Sequence, residues 1–414
     1  YGDLTVNPVG EVTVFITGHS KEVSYDGKQH TVKGYDVSIS DSKYKESDFT
    51  FNGTASISES EVNAYWMGLK AEQFTNNSEN FKKVTFIVTD GSLTITPKSI
   101  VPDTPETPED QKTGITVSEP KNHKYDGQEH KEVLTVKDTK TGKELVSGTD
   151  YDVEYSADVV NAGTVTITIT GKGNYTGSFT KTYQITKRSI TLTSESDKKV
   201  YDGEPLKNGT VTVSGDGFAE GEGATYSVTG SQTNEGSSLN EFGYTLNSGT
   251  LEGNYEITKK EGTLEVTSKS IVPDGPDTPE EKKTGIKVEA PTDSKYDGEE
   301  HRNTPKVTDE KTDKELVENV DYTLTYPEDI KNAGEVKVTV KGKGNYKGEF
   351  EVSYEITKRS VTLTSASDSK TYDGTALERP TVNVSGDGFV KGEGATYDVT
   401  GSRTKAGSSK NTFT

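Results

Sequence analysis

The chain has 414 residues, of which only 28% are hydrophobic and 42 are glycine. At roughly 100–150 residues per domain, this length points to three or four units, and the shortage of apolar residues points to several small cores. The net charge of −20 opposes bulk electrostatic binding to nucleic acid or an anionic membrane, and the absence of cysteine excludes disulfides, thiolate metal sites and Cys nucleophiles.

No apolar run approaches the roughly 18 residues of a membrane span, and no signal-peptide pattern follows Tyr1. Tyr (21) outnumbers Phe (12), and with plentiful Thr, Val and Gly this favours strands and turns over helices.

In chain order, Gly2-Asp3-Leu4-Thr5-Val6-Asn7-Pro8 reads as the closing strand of an upstream domain, assigned to residues 1–10. Residues 11–97 form a β domain, with one helical turn expected over 64–74, around the only Trp and the only Met of the chain. Residues 98–112 are acidic and spaced by Pro102, Pro105 and Pro108, which predicts an extended linker. In residues 113–187, Val165, Ile167 and Ile169 alternate with threonines, the period of a half-buried strand, and Tyr151 and Tyr155 share a face. About five to seven short strands at this spacing predict a β-sandwich. Residues 188–268 form a second β domain, entered from Ile185-Thr186-Lys187-Arg188 without a breaker. Residues 269–283 repeat the acidic linker, 284–358 repeat the domain of 113–187, and 359–414 repeat part of the second type, without counterparts of residues 244–267. Both ends are expected to cut through domains of a longer protein.

The repetition is explicit. Tyr125-Asp126-Gly127 and Tyr296-Asp297-Gly298 lie 171 residues apart, as do Gly173-Asn174-Tyr175 and Gly344-Asn345-Tyr346. The Tyr-Asp-Gly string also begins at Tyr25, Tyr201 and Tyr372. Asp-Gly suits a tight turn and Tyr a core edge, so a string placed once per domain reads as structural. His30, His130 and His301 each follow that Tyr by five residues, but no second repeated ligand group accompanies them as a metal site requires. No nucleophile elbow and no phosphate-cradling glycine loop occurs. No cofactor is expected; the acidic loops 216–222 and 387–393 offer oxygens for calcium without the spacing of a calcium loop. An intramolecular Lys–Asn isopeptide bond would need a Lys, an Asn or Asp and a carboxylic acid together in an apolar core, and Lys124 with Asn174 is a candidate pair. Trp66, with Tyr65 and Phe74, fits either a core or a sugar-stacking surface. A binding role predicts the same exposed aromatics in both cassettes, around Phe218/Phe389 and Tyr226/Tyr397.

Gly148-Thr149-Asp150-Tyr151, Asn161-Ala162-Gly163 and Gly171-Lys172-Gly173-Asn174-Tyr175, kept in part at Asn332-Ala333-Gly334 and 342–348, resemble an Ig-like repeat of bacterial surface proteins. Met67-Gly68-Leu69-Lys70-Ala71-Glu72, residues 86–96, Tyr201-Asp202-Gly203 and Asn254-Tyr255-Glu256-Ile257-Thr258 resemble the MBG and YDG modules of large Gram-positive surface proteins. The resemblances cover nearly the whole chain. They imply an all-β tandem array in which Ig-like sandwiches alternate with MBG/YDG-type domains, the latter either sandwiches or β-grasp-like. They also imply a secreted, cell-wall-attached, adhesin-like protein, with no fixed ligand residues to carry over. The expected role is a non-enzymatic stalk holding a distal binding region. The alternative is a multivalent binder of host glycan, mucin or matrix protein, with one weak site per cassette.

Overall fold

Strand follows strand from Val9 onward, and helix is confined to four single 3-10 turns. No helix is long and apolar enough to cross a membrane. The computed structural model describes residues 1–414, in two compact units. The first comprises Tyr1–Ile190, Gly215–Gly223 and Leu246–Ile257; the second comprises Thr191–Ser214, Ala224–Thr245 and Thr258–Thr414.

The first unit begins with an all-β module over residues 9–97. Val12, Val14 and Ile16 alternate inward along strand Val9–Gly18, which lies between Tyr35–Ile39 and the parallel strand Phe81–Thr89. A second sheet orders Lys21–Ser24, Ser92–Thr96 and Asn63–Trp66. Against the first sheet, Phe51 and Phe86 stack on Phe74, at 4.8 and 5.7 Å between ring centroids. No α-helix covers either sheet.

Residues 1–8 pair with no strand of this chain, and Tyr1, Leu4 and Val6 stand exposed. Two expectations are corrected here. The turn expected over 64–74 is not helical. Asn63–Trp66 is a strand, Gly68 has φ +78°, and Asp90 accepts hydrogen bonds from the Gly68 and Leu69 N–H groups. Only Ala71–Gln73 turns as 3-10 helix. Residues 98–112 are not a free linker. Lys98–Ser99 pairs with Tyr175–Thr176, Ile100 is fully buried, and the Asp103 carboxylate accepts from the Thr113 and Gly114 N–H groups at 2.6 Å.

The second module of this unit therefore starts at Lys98. One sheet orders Ile115–Val117, Val136–Asp138 and Lys143–Glu144. The other orders His123–Lys124, Ser178–Thr186, Gly163–Gly171 and Tyr151–Tyr155. Val165, Ile167 and Ile169 point inward, as the threonine alternation requires. Lys187 alone separates Ser178–Thr186 from the next strand, Arg188–Ser194.

The second unit repeats this module with the same strand orders, opening with Lys269–Ser270 against Tyr346–Lys347. Residues 269–283 are again built in: Ile271 is buried and Asp274 accepts from the Thr284 and Gly285 N–H groups. Even where the residue changes, the backbone is kept. Asp313 and Asn319 hold positive φ, 50° and 66°, where the first copy has Gly142 and Gly148. Before this module, Asp197–Val200, Gly262–Thr267 and Gly236–Asn240 form a mixed sheet.

No residue after Ile356 is buried. Residues 359–414 keep the pairs Val361–Ser365 with Val382–Gly386 and Leu377–Glu378 with Ser402–Arg403, and a single bridge from Val399 to Phe413. In native-state hydrogen exchange, amides of Val361–Ser365 should exchange at least about tenfold faster than those of Gly334–Gly342. Equal protection would mean that residues 359–414 hold a core of their own.

Candidate functional site: a repeated clasp between modules

Every Tyr-Asp-Gly string is a turn built in the same way. The Asp carboxylate accepts from the N–H two residues on, at Lys28, Gln128, Glu204, Glu299 and Thr375, over 2.9–3.0 Å. The Gly takes positive φ in all five. His30, His130 and His301 each reach the same carboxylate at 2.9 Å. That explains why the histidine recurs. Bonding by the Gln128 N–H and, after it, by His130 holds the Asp126 carboxyl below its ordinary range.

The turn presents its Tyr to the next module. Tyr25 meets Tyr175 edge to face at 5.6 Å, Tyr125 meets Tyr255 at 5.8 Å, and Tyr201 meets Tyr346 at 5.6 Å. All six rings are buried. Each receiving Tyr ends a Gly-Asn-Tyr string, and its Asn completes the contact. Asn174 Oδ1 accepts from the Val62 N–H at 2.9 Å, Asn254 Oδ1 from Ala162 at 2.8 Å and Asn345 Oδ1 from Glu235 at 2.7 Å. The Nδ2 groups donate back, to Glu61, to Asn161 at 2.8 Å and to Asn234 at 3.1 Å. Three junctions, two in the first unit and one in the second, thus share one clasp.

The Tyr125 clasp carries further bonds. Tyr125 and Tyr255 both donate to the Glu222 carboxylate, the latter at 2.6 Å. Lys124 pairs with Asp216 at 2.6 Å, and Arg188 donates to the carbonyls of Gly217, Tyr125 and Asp216. Bonding by Lys124 and by the Ser189 N–H holds the Asp216 carboxyl below its usual range. Burial, followed by the bond to Glu222, pushes the Tyr125 phenol up to about 12, and the same two causes push Tyr255 up to about 12. The acidic loop 216–222 thus spends Asp216 and Glu222 on the junction. In the second unit Lys295 meets Asp387 at 2.7 Å and Tyr296 donates to Glu393. No group of three or more His, Asp or Glu side chains converges.

The aromatic residues singled out for binding fall apart. Trp66 is 66% exposed on its strand, opposite Ser92. Phe74 belongs to the core of the first module. Phe218 is half-buried against Tyr255 at 5.1 Å. Its counterpart Phe389 is exposed, the position equivalent to Tyr255 lying past residue 414. Tyr226 is half-buried, and Tyr397 packs on Phe413 at 6.3 Å. Lys124 and Asn174, paired as crosslink candidates, are engaged separately, with Asp216 and with Glu61 and Val62.

Sequence reasoning did not find the buried groups at the head of the module that opens at Lys98 and of its repeat that opens at Lys269. Lys98 Nζ lies 2.6 Å from Asp138 Oδ2, and Tyr175 donates to that oxygen at 3.2 Å. Lys269, Asp309 and Tyr346 repeat the set. The available signal was the identity of Lys98-Ser99-Ile100-Val101-Pro102-Asp103 with residues 269–274, which carries the repeat across the supposed linker.

No family model matches the chain, and no curated protein matches it. Similar solved structures include the extracellular domain of protocadherin GammaB4, at 10% identity and a TM-score of 0.23 over 82% of this chain. This chain spans 65% of that one, just under two thirds of its length. Extracellular cadherin domains 3–6 of protocadherin Gamma B2 match at 8% identity and a TM-score of 0.23, covering 83% of this chain and 98% of that one. Immunoglobulin domains 1–5 of Sidekick-1 match at 11% and 0.24, covering 82% and 79%. None is similar enough to transfer a function.

Tyr125→Phe keeps the ring contact and removes the hydroxyl. It should cost about 1–2 kcal/mol in urea melts, and Tyr296→Phe, at a half-buried ring, should cost less. Unfolded phenols ionise near pH 10, so the stability these two protonated hydroxyls confer is constant below that and lost as pH rises through about 12. Tyr125→Phe should weaken that alkaline loss. Equal costs for the two variants would detach Tyr125 from the clasp.

Proposed function

We propose that this chain is a non-enzymatic repeat stalk of a bacterial cell-surface, adhesin-like protein, built from Ig-like and MBG/YDG-type modules. In this reading it is secreted, attached to the wall of a Gram-positive cell, and holds a distal binding region away from it. The observation that carries the reading is the clasp: the residues repeated from module to module are spent on joining modules. Aromatic edge contacts and amide–backbone bonds at the three junctions, with charge-assisted bonds at those of Tyr25 and Tyr125, resist bending and separation. The net charge of −20 keeps neighbouring stalks apart.

A second reading, a multivalent binder of host glycan, mucin or matrix protein, draws on Trp66, exposed on a strand face. It needs one site per cassette, and Trp66 is the only Trp in the chain. The full chain on a mucin and glycan array should stay silent, while pulling it by its ends should give separate unfolding events for successive modules. Array binding that Trp66→Ala abolishes would replace the stalk with a binder.

A further inference from the structure

Two lysines are buried, and both sit at the same place. Lys98 and Asp138 side chains are 9% and 0% exposed, and Lys269 and Asp309 are 6% and 0% exposed. Lys269 Nζ lies 2.6 Å from both carboxylate oxygens of Asp309. Other lysine pairs of the chain keep much of the ammonium in water, as Lys124 does with Asp216. The surroundings are apolar: Ile271, Ile286, Val307, Tyr201 and Tyr346 belong to one core cluster around the second pair. Separated charges are disfavoured in such a medium, so amine and carboxylate are held in contact.

The remaining contacts suit condensation of that pair. Asp138 Oδ1 accepts from the Lys140 and Thr141 N–H groups at 3.0 and 3.2 Å, and Asp309 Oδ1 accepts from the Lys311 N–H at 3.0 Å. These donors face the oxygen on which negative charge develops when an amine adds to the carboxyl carbon. The other oxygen, Oδ2, holds the lysine and the Tyr hydroxyl, at 3.2 Å from Tyr175 and 3.0 Å from Tyr346. That hydroxyl is placed to relay a proton to a departing oxygen. Fixed juxtaposition in a dry core supplies the effective concentration that free amine and acid lack in water, and exclusion of water opposes hydrolysis of the product.

We propose that Lys98 and Asp138, and Lys269 and Asp309, form intramolecular isopeptide bonds. Nζ bonds to Cγ, and the Cγ–Oδ2 bond breaks. Of the three protons on the ammonium, one stays on the amide nitrogen and two leave with Oδ2 as water. The charges of the ion pair cancel, and no oxidant, cofactor or second protein takes part. Each bond ties the first strand of an Ig-like module, Lys98–Ser99 or Lys269–Ser270, to the inner strand Val136–Asp138 or Lys306–Asp309. The inference stands on the core geometry and does not depend on the stalk reading.

The test is the intact mass of the full chain under denaturing conditions. It should fall below the sum of its residues by two water molecules, and protease digestion should release two branched peptides, one joining Lys98 to Asp138 and one joining Lys269 to Asp309. Lys98→Arg with Lys269→Arg keeps both charges and cannot form the amide, so its mass should equal the sum of its residues. A wild-type mass equal to that sum would overturn the proposal and leave both sites as ion pairs. A mass deficit that persists in the double variant, or branched peptides at other residues, would overturn the assignment to these lysines.

Discussion

A tyrosine held at the tip of an Asp-Gly turn is worth little by itself, since one ring cannot cover a module end. Its partner makes the difference. At Tyr25/Tyr175, Tyr125/Tyr255 and Tyr201/Tyr346 the rings meet edge to face, the arrangement in which ring quadrupoles attract. The Asn before each receiving Tyr takes a backbone N–H from the preceding module that would otherwise lose water without replacement. Directional contacts of both kinds hold only one mutual orientation. Geometry at each such junction is therefore set by side chains and does not depend on the connecting peptide.

The receiving tyrosine is also tied inward. Tyr175 donates to Asp138 and Tyr346 to Asp309, the carboxylates that face Lys98 and Lys269. A buried ammonium without its carboxylate would cost several kcal/mol, so the strand carrying the lysine cannot leave the module while the pair stands. That strand follows directly on the preceding module, with Pro97 alone between Ser92–Thr96 and Lys98–Ser99. Core, first strand and clasp are consequently one connected set, and the proline-rich segment after it has its course fixed by Ile100 and Asp103.

Much of this was readable from residues alone. The alternation of Val165, Ile167 and Ile169 with threonine gives strand and burial together, and the 171-residue spacing gives the second copy of the Ig-like module. Composition misled at residues 98–112, because spaced prolines and acids describe a solvated chain only when nothing anchors them, and the anchors are single residues: Lys98, Ile100 and Asp103. Helical spacing misled at Trp66, where Gly68 and the Asp90 carboxylate end any turn and a neighbouring strand edge offers pairing. The clasp was hidden for another reason. Both of its strings recur visibly, but the turn Tyr and the Asn of the string that receives it lie 129 to 149 residues apart in sequence, and only the fold says which copy faces which.

The clasp is two-sided, and that bears on what the repeats are for. A module offers a turn Tyr at one end and receives with a Gly-Asn-Tyr string at the other, so the contact is heterologous and each copy uses the other's unlike surface. Tyr201, with a receiving module, is buried; Tyr372, with none before residue 414, is 68% exposed. Phe218, by contrast, is covered within its own module, by Tyr255. The turn Tyr, repeated once per module, is thus a surface that the next module occupies. In the stalk reading proposed above, adding cassettes lengthens the chain without multiplying this surface.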